Sequence, residues 1–155
     1  MDQPDNYYMD IALEEAEKAA DKLEVPVGAV VVQSGQVIGR GHNLREASQD
    51  PTSHAEMIAI RAAANEIGSW RLEEADLYVT LEPCPMCAGA ILQARLKRVV
   101  YGATDPKAGA AGTLYNLLED ERFNHQVELV IGVRAEESSQ LLQDFFRQLR
   151  LGKDG

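Results

Sequence analysis

Two short stretches of this chain, His54-Ala55-Glu56 and Pro83-Cys84-Pro85-Met86-Cys87, constrain its fold more than any other feature. They hold both of its cysteines, one of its three histidines and a carboxylate two positions from that histidine. Two thiolates and an imidazole are a donor set that zinc favours and that iron also accepts. Three donors leave one tetrahedral position open, which marks a catalytic rather than a structural metal site. A carboxylate beside such a position is placed to move protons. A fold that uses these groups together must bring points about thirty residues apart in the chain into contact.

Each group also has an ordinary explanation. Ser53 and Glu56 fit the S-x-x-E capping box, in which the carboxylate serves the backbone at a helix start. His54 alone reads as a helix-start residue. Cys84-Pro85-Met86-Cys87 alone reads as a redox C-x-x-C pair. His42 or His125 would close the site as a structural zinc centre by supplying a fourth ligand. The combination is the specific signal: H-x-E and then P-C-x-x-C, each at a helix start that follows a strand.

The hydrophobic pattern supplies those helix starts. A first helix is predicted over 7–23, with Ala12, Ala16, Ala19 and Leu23 on a narrow apolar stripe and Pro26 blocking its continuation. Residues 27–32 form a β-branched run, as expected of a strand buried on both faces. Ser34-Gly35 turns this strand back into 36–40 as an antiparallel hairpin, and 41–52 is polar and reads as a loop. Ser53 opens a second helix to about residue 67, stopped by Gly68. A third strand follows at 77–81, then a third helix over 84–94 with Pro85 in its first turn. Further strands are predicted at 98–102 and 127–131, a shaped glycine-alanine loop at 105–112, and a terminal helix over 136–150.

This alternation implies a mixed five-stranded sheet with helices on both faces. The class is α/β, a three-layer α/β/α sandwich, with 1–155 as one domain. His54 then lies in the first turn of one helix, and Cys84 and Cys87, three apart, in the first turn of the next. The positive ends of both helices favour thiolates over thiols.

Bulk composition narrows the setting. At 155 residues, 45% hydrophobic and 26% charged, the chain reads as a soluble globular protein. No apolar run approaches the roughly 20 residues needed to cross a bilayer. The acidic N-terminus has no basic-then-apolar signal pattern. A cytoplasmic location is expected, with no membrane partner, and there a C-x-x-C pair points to metal or redox chemistry rather than a structural disulfide. The net charge of −10 argues against a protein that coats nucleic acid by bulk electrostatics. It leaves local basic clusters, Arg95 with Lys97 and Arg98, and Arg147 with Arg150 and Lys153.

His54-Ala55-Glu56 with Pro83-Cys84-Pro85-Met86-Cys87 resembles the signature of the zinc-dependent nucleobase deaminases. The resemblance runs nearly end to end and is greatest to the bacterial tRNA-specific adenosine deaminases. It is carried by the stretches 25–30, 50–56 and 80–90, by Asn43, by Asp105-Pro106-Lys107-Ala108-Gly109-Ala110-Ala111-Gly112, and by Asp144-Phe145-Phe146-Arg147. The zinc motifs are shared with cytosine, guanine and cytidylate deaminases, so they fix the reaction class. The glycine-alanine loop and the Phe-Phe-Arg helix favour the tRNA branch. Ser53 and Pro106 depart from that branch's pattern, and neither is a proposed ligand.

The resemblance implies a cytidine deaminase-like fold and the hydrolysis of adenosine to inosine at the wobble position of a tRNA anticodon. It implies one Zn²⁺ per subunit on His54, Cys84 and Cys87, with Glu56 shuttling protons while activated water attacks C6 of adenine. Asn43 is expected near the target nucleotide, and Asp105 and Lys107 against the anticodon stem-loop. Phe145, Phe146 and Arg147 are expected to offer an aromatic and cationic surface to flanking bases, with one phenylalanine buried and one at the nucleic-acid edge. A homodimer is implied as well, with the small residues Ala88, Gly89 and Ala90 allowing close packing. Two other readings stand beside this one: a deaminase of a free base or nucleotide, of guanine or cytosine type, and a non-catalytic zinc module.

Overall fold

The computed structural model describes the backbone of residues 2–154 and the side chains of 4–152. Lys153, of the second basic cluster, has its side chain outside that range. Five strands form one mixed sheet in the order β2-β1-β3-β4-β5. They are β1 (Gly28–Gln33), β2 (Gln36–His42), β3 (Ala75–Leu81), β4 (Arg98–Ala103) and β5 (Glu128–Ile131). β1 pairs antiparallel with β2 and β3, while β3–β4 and β4–β5 are parallel. The helices are α1 (Asp2–Asp21), α2 (Arg45–Ser48), α3 (Ala55–Ile67), α4 (Pro85–Ala94) and α5 (Ala135–Asp154).

The three layers follow from the two-residue period of the strands. Ala29, Val31, Leu77, Val79, Val99 and Tyr101 point to one face, where they pack with Ala55, Ala59 and Ala63 of α3 and Ala88, Ile91 and Leu92 of α4. Val30, Val32, Tyr78 and Val100 point to the other face, against Met9 and Ala12 of α1. The expected α/β/α sandwich is therefore present. Each fully buried Leu, Ile or Val contributes about 1.5–3 kcal/mol through area removed from water.

Several local expectations are corrected. α1 ends at Asp21, and Leu23, with φ 62° and 77% exposed, is off the stripe that Met9 instead continues. Pro26 therefore does not end this helix; the Glu24 N–H closing onto the Ala19 carbonyl does. The 41–52 segment is not all loop: β2 runs to His42 and α2 fills Arg45–Ser48. α2 is held from outside by the buried Glu24 carboxylate, which accepts the N–H groups of Glu46 (3.0 Å) and Ala47 (2.6 Å). Such a distant anchor leaves no local signal. β5 starts one residue late, at Glu128, and α5 runs on to Asp154.

The hairpin forms as expected, with Ser34 and Gly35 both at positive φ (52° and 76°), the conformation a two-residue turn demands. The sheet then sets the site's location. His42 at the end of β2 pairs with Gly28, and Ala29 pairs with Val79 near the end of β3. Leu81 at the end of β3 pairs with Ala103 at the end of β4. Three strand ends thus lie along one edge, and the segments leaving them meet there, as in other open α/β sheets.

Candidate active site

His54 is the N-cap of α3 and Cys84 the N-cap of α4, each extended just before the helix begins. Both sit one step before the first turn expected from sequence. Pro85 occupies the first helical position of α4, where its missing N–H costs nothing. Cys87 follows one turn in and is fully buried. The Nδ1 atom of His54 stands 3.6 Å from the Sγ of Cys84 and 3.6 Å from the Sγ of Cys87. All three donors lie within 4.8 Å of one another.

These residues fit a tetrahedral metal. Bonds of about 2.3 Å to sulfur and about 2.05 Å to nitrogen, opened to the tetrahedral angle, put sulfur and nitrogen about 3.6 Å apart. The charges point the same way. The hydrogen bond from Cys87 and the nearby His54 hold the Cys84 thiol down to about 4, while the bond to Cys84 and burial push the Cys87 thiol upward. Cys84 is thus the readier of the two to ionise, and a bound cation would favour the thiolate of both.

The alternative fourth ligands are engaged elsewhere. His42 Nδ1 lies 2.9 Å from a Glu15 carboxylate oxygen and its Nε2 3.0 Å from Lys22 Nζ. His125 Nε2 lies 2.7 Å from the Leu96 carbonyl oxygen. Among the described residues the single cluster with metal-binding geometry is His54, Cys84 and Cys87, so no protein group closes the fourth position.

Glu56 is in the first turn of α3 and only 4% exposed. The capping box expected of it does not form. No side-chain cap bond is made at the start of α3, and the Ser53 hydroxyl accepts instead from Ser48 Oγ at 3.0 Å. Burial pushes the Glu56 carboxyl up to about 7, and the charge on Cys84 adds to the rise. A carboxyl held there can give or take a proton near neutral pH.

His54, Glu56 and Cys84 line a cleft of about 210 Å³. Asn43 and Arg45 enter it from the segment after β2, and Asp105 and Ala108 from the loop after β4. Val25, Val27 and Leu81 add apolar wall. The volume is below the roughly 300–1,000 Å³ of drug-sized sites and suits one planar base. Asn43 is 6% exposed. Its amide nitrogen donates to the Val25 carbonyl at 3.3 Å, and its amide oxygen accepts the Arg45 N–H at 3.4 Å. That leaves one N–H and one lone pair for a ligand.

Lys107, Phe145, Phe146 and Arg147 do not line this cleft. Lys107 is exposed on the same loop as Asp105. Phe145 and Phe146 meet edge to face at 5.4 Å between ring centres. The expectation of one buried phenylalanine is not met: Phe145 is half-buried in a groove beside Ala20, Leu23 and Leu149, and Phe146 is 41% exposed. Adjacent helix positions aim the two rings in different directions, so spacing turns one of them inward but does not set how far the body covers it. Arg147 lies 3.6 Å from Asp144.

Sequence reasoning missed Glu82 and Arg45, both in the cleft wall. The signal for Glu82 was an acid at the end of an otherwise apolar strand, next to the ligand motif. Glu82 is 2% exposed, and burial alone would raise its pKa. The hydrogen bonds from Thr113 and from the backbone of Asp105, Thr113 and Ala111 outweigh that and hold it below its ordinary value.

The MafB19-like deaminase family model matches residues 3–150. The tRNA-specific adenosine deaminase of Bacillus subtilis (strain 168) is 57% identical over 149 residues, covering 96% of this chain and 92% of that protein. A solved structure from work on A-to-I editing by tRNA:A34 deaminases at the wobble position of transfer RNA has a TM-score of 0.84 and 44% identity, over 88% of this chain and 99% of that one. A guanine deaminase from Bacillus subtilis is 41% identical over 69% of each chain, with a TM-score of 0.63. The fold, the family match and a near-full-length likeness agree, and the chain belongs to the bacterial tRNA-specific adenosine deaminases.

Proposed function

We propose that this chain hydrolyses adenosine to inosine at the wobble position of a tRNA anticodon, acting as a single catalytic domain in the cytoplasm. The observation that carries the proposal is the 57% identity to a tRNA-specific adenosine deaminase along 96% of the chain. Among the described residues no helix is long and apolar enough to cross a membrane.

His54, Cys84 and Cys87 would hold one Zn²⁺ per subunit, which when bound supplies a water activated for attack near neutral pH. Glu56 takes the proton released by that water and delivers it to N1 of adenine. It then takes the proton of the hydroxyl added at C6 and passes it to the amine leaving C6. Water adds its oxygen at C6, the C6–N bond breaks, and ammonia leaves. The apolar wall of Val25, Val27 and Leu81 receives the base once it is swung out of its stack, which costs least in a single-stranded loop. Asn43 and Asp105 orient the target nucleotide from the segments after β2 and β4. Lys107, Phe145, Phe146 and Arg147 meet flanking nucleotides outside the cleft. The working form is a homodimer in which the small residues of α4 allow close approach.

The test is incubation of the purified protein with bulk tRNA and, separately, with free nucleosides and bases, measuring inosine and ammonia. Inosine confined to the tRNA is the expected result. Ammonia from free guanine or cytosine would replace this reading with that of a free-base deaminase. Bound metal with no turnover on any substrate would leave a non-catalytic zinc module.

A further inference from the structure

Two residues before Cys84 stands a buried carboxylate that the proton chemistry does not use. Every hydrogen bond made by the Glu82 side chain goes to residues 105–113. Its Oε1 accepts the Asp105 N–H at 3.0 Å and the Thr113 hydroxyl. Its Oε2 accepts the N–H groups of Ala111 and Thr113, each at 3.0 Å. Gly109 presses on the same group, since a Cβ at that position would overlap the carboxyl carbon and both oxygens.

This loop lines the cleft through Asp105 and Ala108, and Cys84 lines it from the start of α4. The Ala110 N–H to the Pro83 carbonyl (2.8 Å) and the Tyr101 hydroxyl to the Ala111 carbonyl (3.1 Å) also tie the loop down. Glu82 differs from both in being a charged hub. Four donors converge on two oxygens away from water, where charge-assisted bonds are strongest and an unmet donor costs most.

We propose that Glu82 is a positioning residue for the substrate: it fixes the 105–113 wall against the Cys84 end of α4 and so sets the width of the cleft that admits the base. This rests on the deamination reading, in which the cleft takes the target nucleotide. The metal ligands and Glu56 are carried by α3 and α4, which the Glu82 carboxylate does not bond. Its loss therefore falls on binding more than on the chemical step.

The experiment is steady-state kinetics of Glu82→Gln on an anticodon stem-loop, with metal content, thermal midpoint and amide exchange of the free protein. The new amide group faces donors from which it cannot accept. KM should rise about tenfold with kcat within about threefold, the size expected for losing bonds to a buried charge. The Ala111 and Thr113 amides should exchange faster, with metal content unchanged. If Glu82→Gln misfolds, Gly109 supplies the second route. Gly109→Ala alone should raise KM by displacing the carboxylate. In Glu82→Ala that space is empty, so Gly109→Ala should add nothing there. An unchanged KM, strictly additive effects of the two substitutions, or a parallel fall in kcat, metal content and thermal midpoint would each overturn the proposal. A wild-type chain that makes no inosine in tRNA sinks the deamination reading instead, and amide exchange still reports whether Glu82 holds the loop.

Discussion

The Nδ1 atom of His54 and the Sγ of Cys84 stand 3.6 Å apart across a separation of thirty residues, each on the cap of a different helix. That spacing fits two donors of one tetrahedral ion. The purified protein should carry about one zinc per chain by elemental analysis, as an open site with three protein ligands requires. Cys87→Ser should lose most of that metal and lower the thermal midpoint, because binding free energy to the folded state is also stability. Full metal content in Cys87→Ser would remove Cys87 from the ligand set.

The Ser53 N–H goes to the Asp50 carbonyl rather than to Glu56, so the buried carboxyl closes no capping box. Glu56→Ala should keep the fold and the metal while turnover falls at least ~10²–10⁴-fold, the range for losing a positioned acid–base group. Circular dichroism, metal analysis and inosine formation measure the three separately. Near-normal inosine formation would end the proton-shuttle role.

Much of this was legible because the signals are local. Val30 and Val31 announce opposite faces of a buried strand, and Ser34-Gly35 announces a tight turn. The metal donors sit within a few residues of helix starts that proline, glycine and apolar spacing mark. Two buried carboxylates that anchor distant segments were not legible. Glu24 bonds residues 46 and 47, and Glu82 bonds residues as far as 113. Nothing near Glu24 distinguishes it from a solvated acid, and the one local signal for Glu82, its place after an apolar strand, names no partner. Ser53 and Glu56 misled in the opposite sense: they fit a local rule, yet His54 takes the cap and the carboxylate turns inward. For Phe145 the pattern gave a face, while its exposure depends on how α5 lies over α1.

Gly41 lets α3 approach β2 where the metal site begins. A Cβ there would lie 2.5 Å from the Ala55 carbonyl oxygen and 2.8 Å from the Ala59 nitrogen. Both are backbone atoms that move only if the helix moves. Gly41→Ala should cost about 1–3 kcal/mol, the usual range for overpacking. It should also weaken metal retention, because the displaced turn carries His54. Chemical unfolding and chelator competition check the two effects. Wild-type stability would show that the helix rides over the added methyl.

Gly89 is the opposite case. Within one chain a Cβ on it meets nothing within 4 Å. Alanine inside a helix is favoured over glycine by about 1 kcal/mol, so an isolated chain should be stabilised by Gly89→Ala. In the proposed homodimer the small residues of α4 face the second copy, and the added methyl intrudes there. Sedimentation should show dissociation at higher protein concentration than for wild type. A dimer of unaltered affinity would move the interface off this face.

On the other side of the sheet, Asp5 ties the start of α1 to β4. Its two carboxylate oxygens accept from Arg98 at 2.8 and 3.1 Å, and one also accepts the Tyr78 hydroxyl at 2.7 Å. The Arg98 hydrogen bond outweighs burial and holds the Asp5 carboxyl below its ordinary value. The folded chain then binds the Asp5 proton less readily than the unfolded one. This stability is fully present above the ordinary aspartate range of about pH 4, and it is lost as pH falls through the depressed folded value. Asp76, bonded to the same arginine at 3.2 Å, is raised by burial and works against that trend over the same acid range. Asp5→Asn should cost about 1.5–3 kcal/mol at pH 7, as for hydrogen bonds to a charged group. The gap from wild type should narrow in urea unfolding near pH 3. A gap equally wide at both pH values would mean that Asp5 acts through its shape rather than its charge.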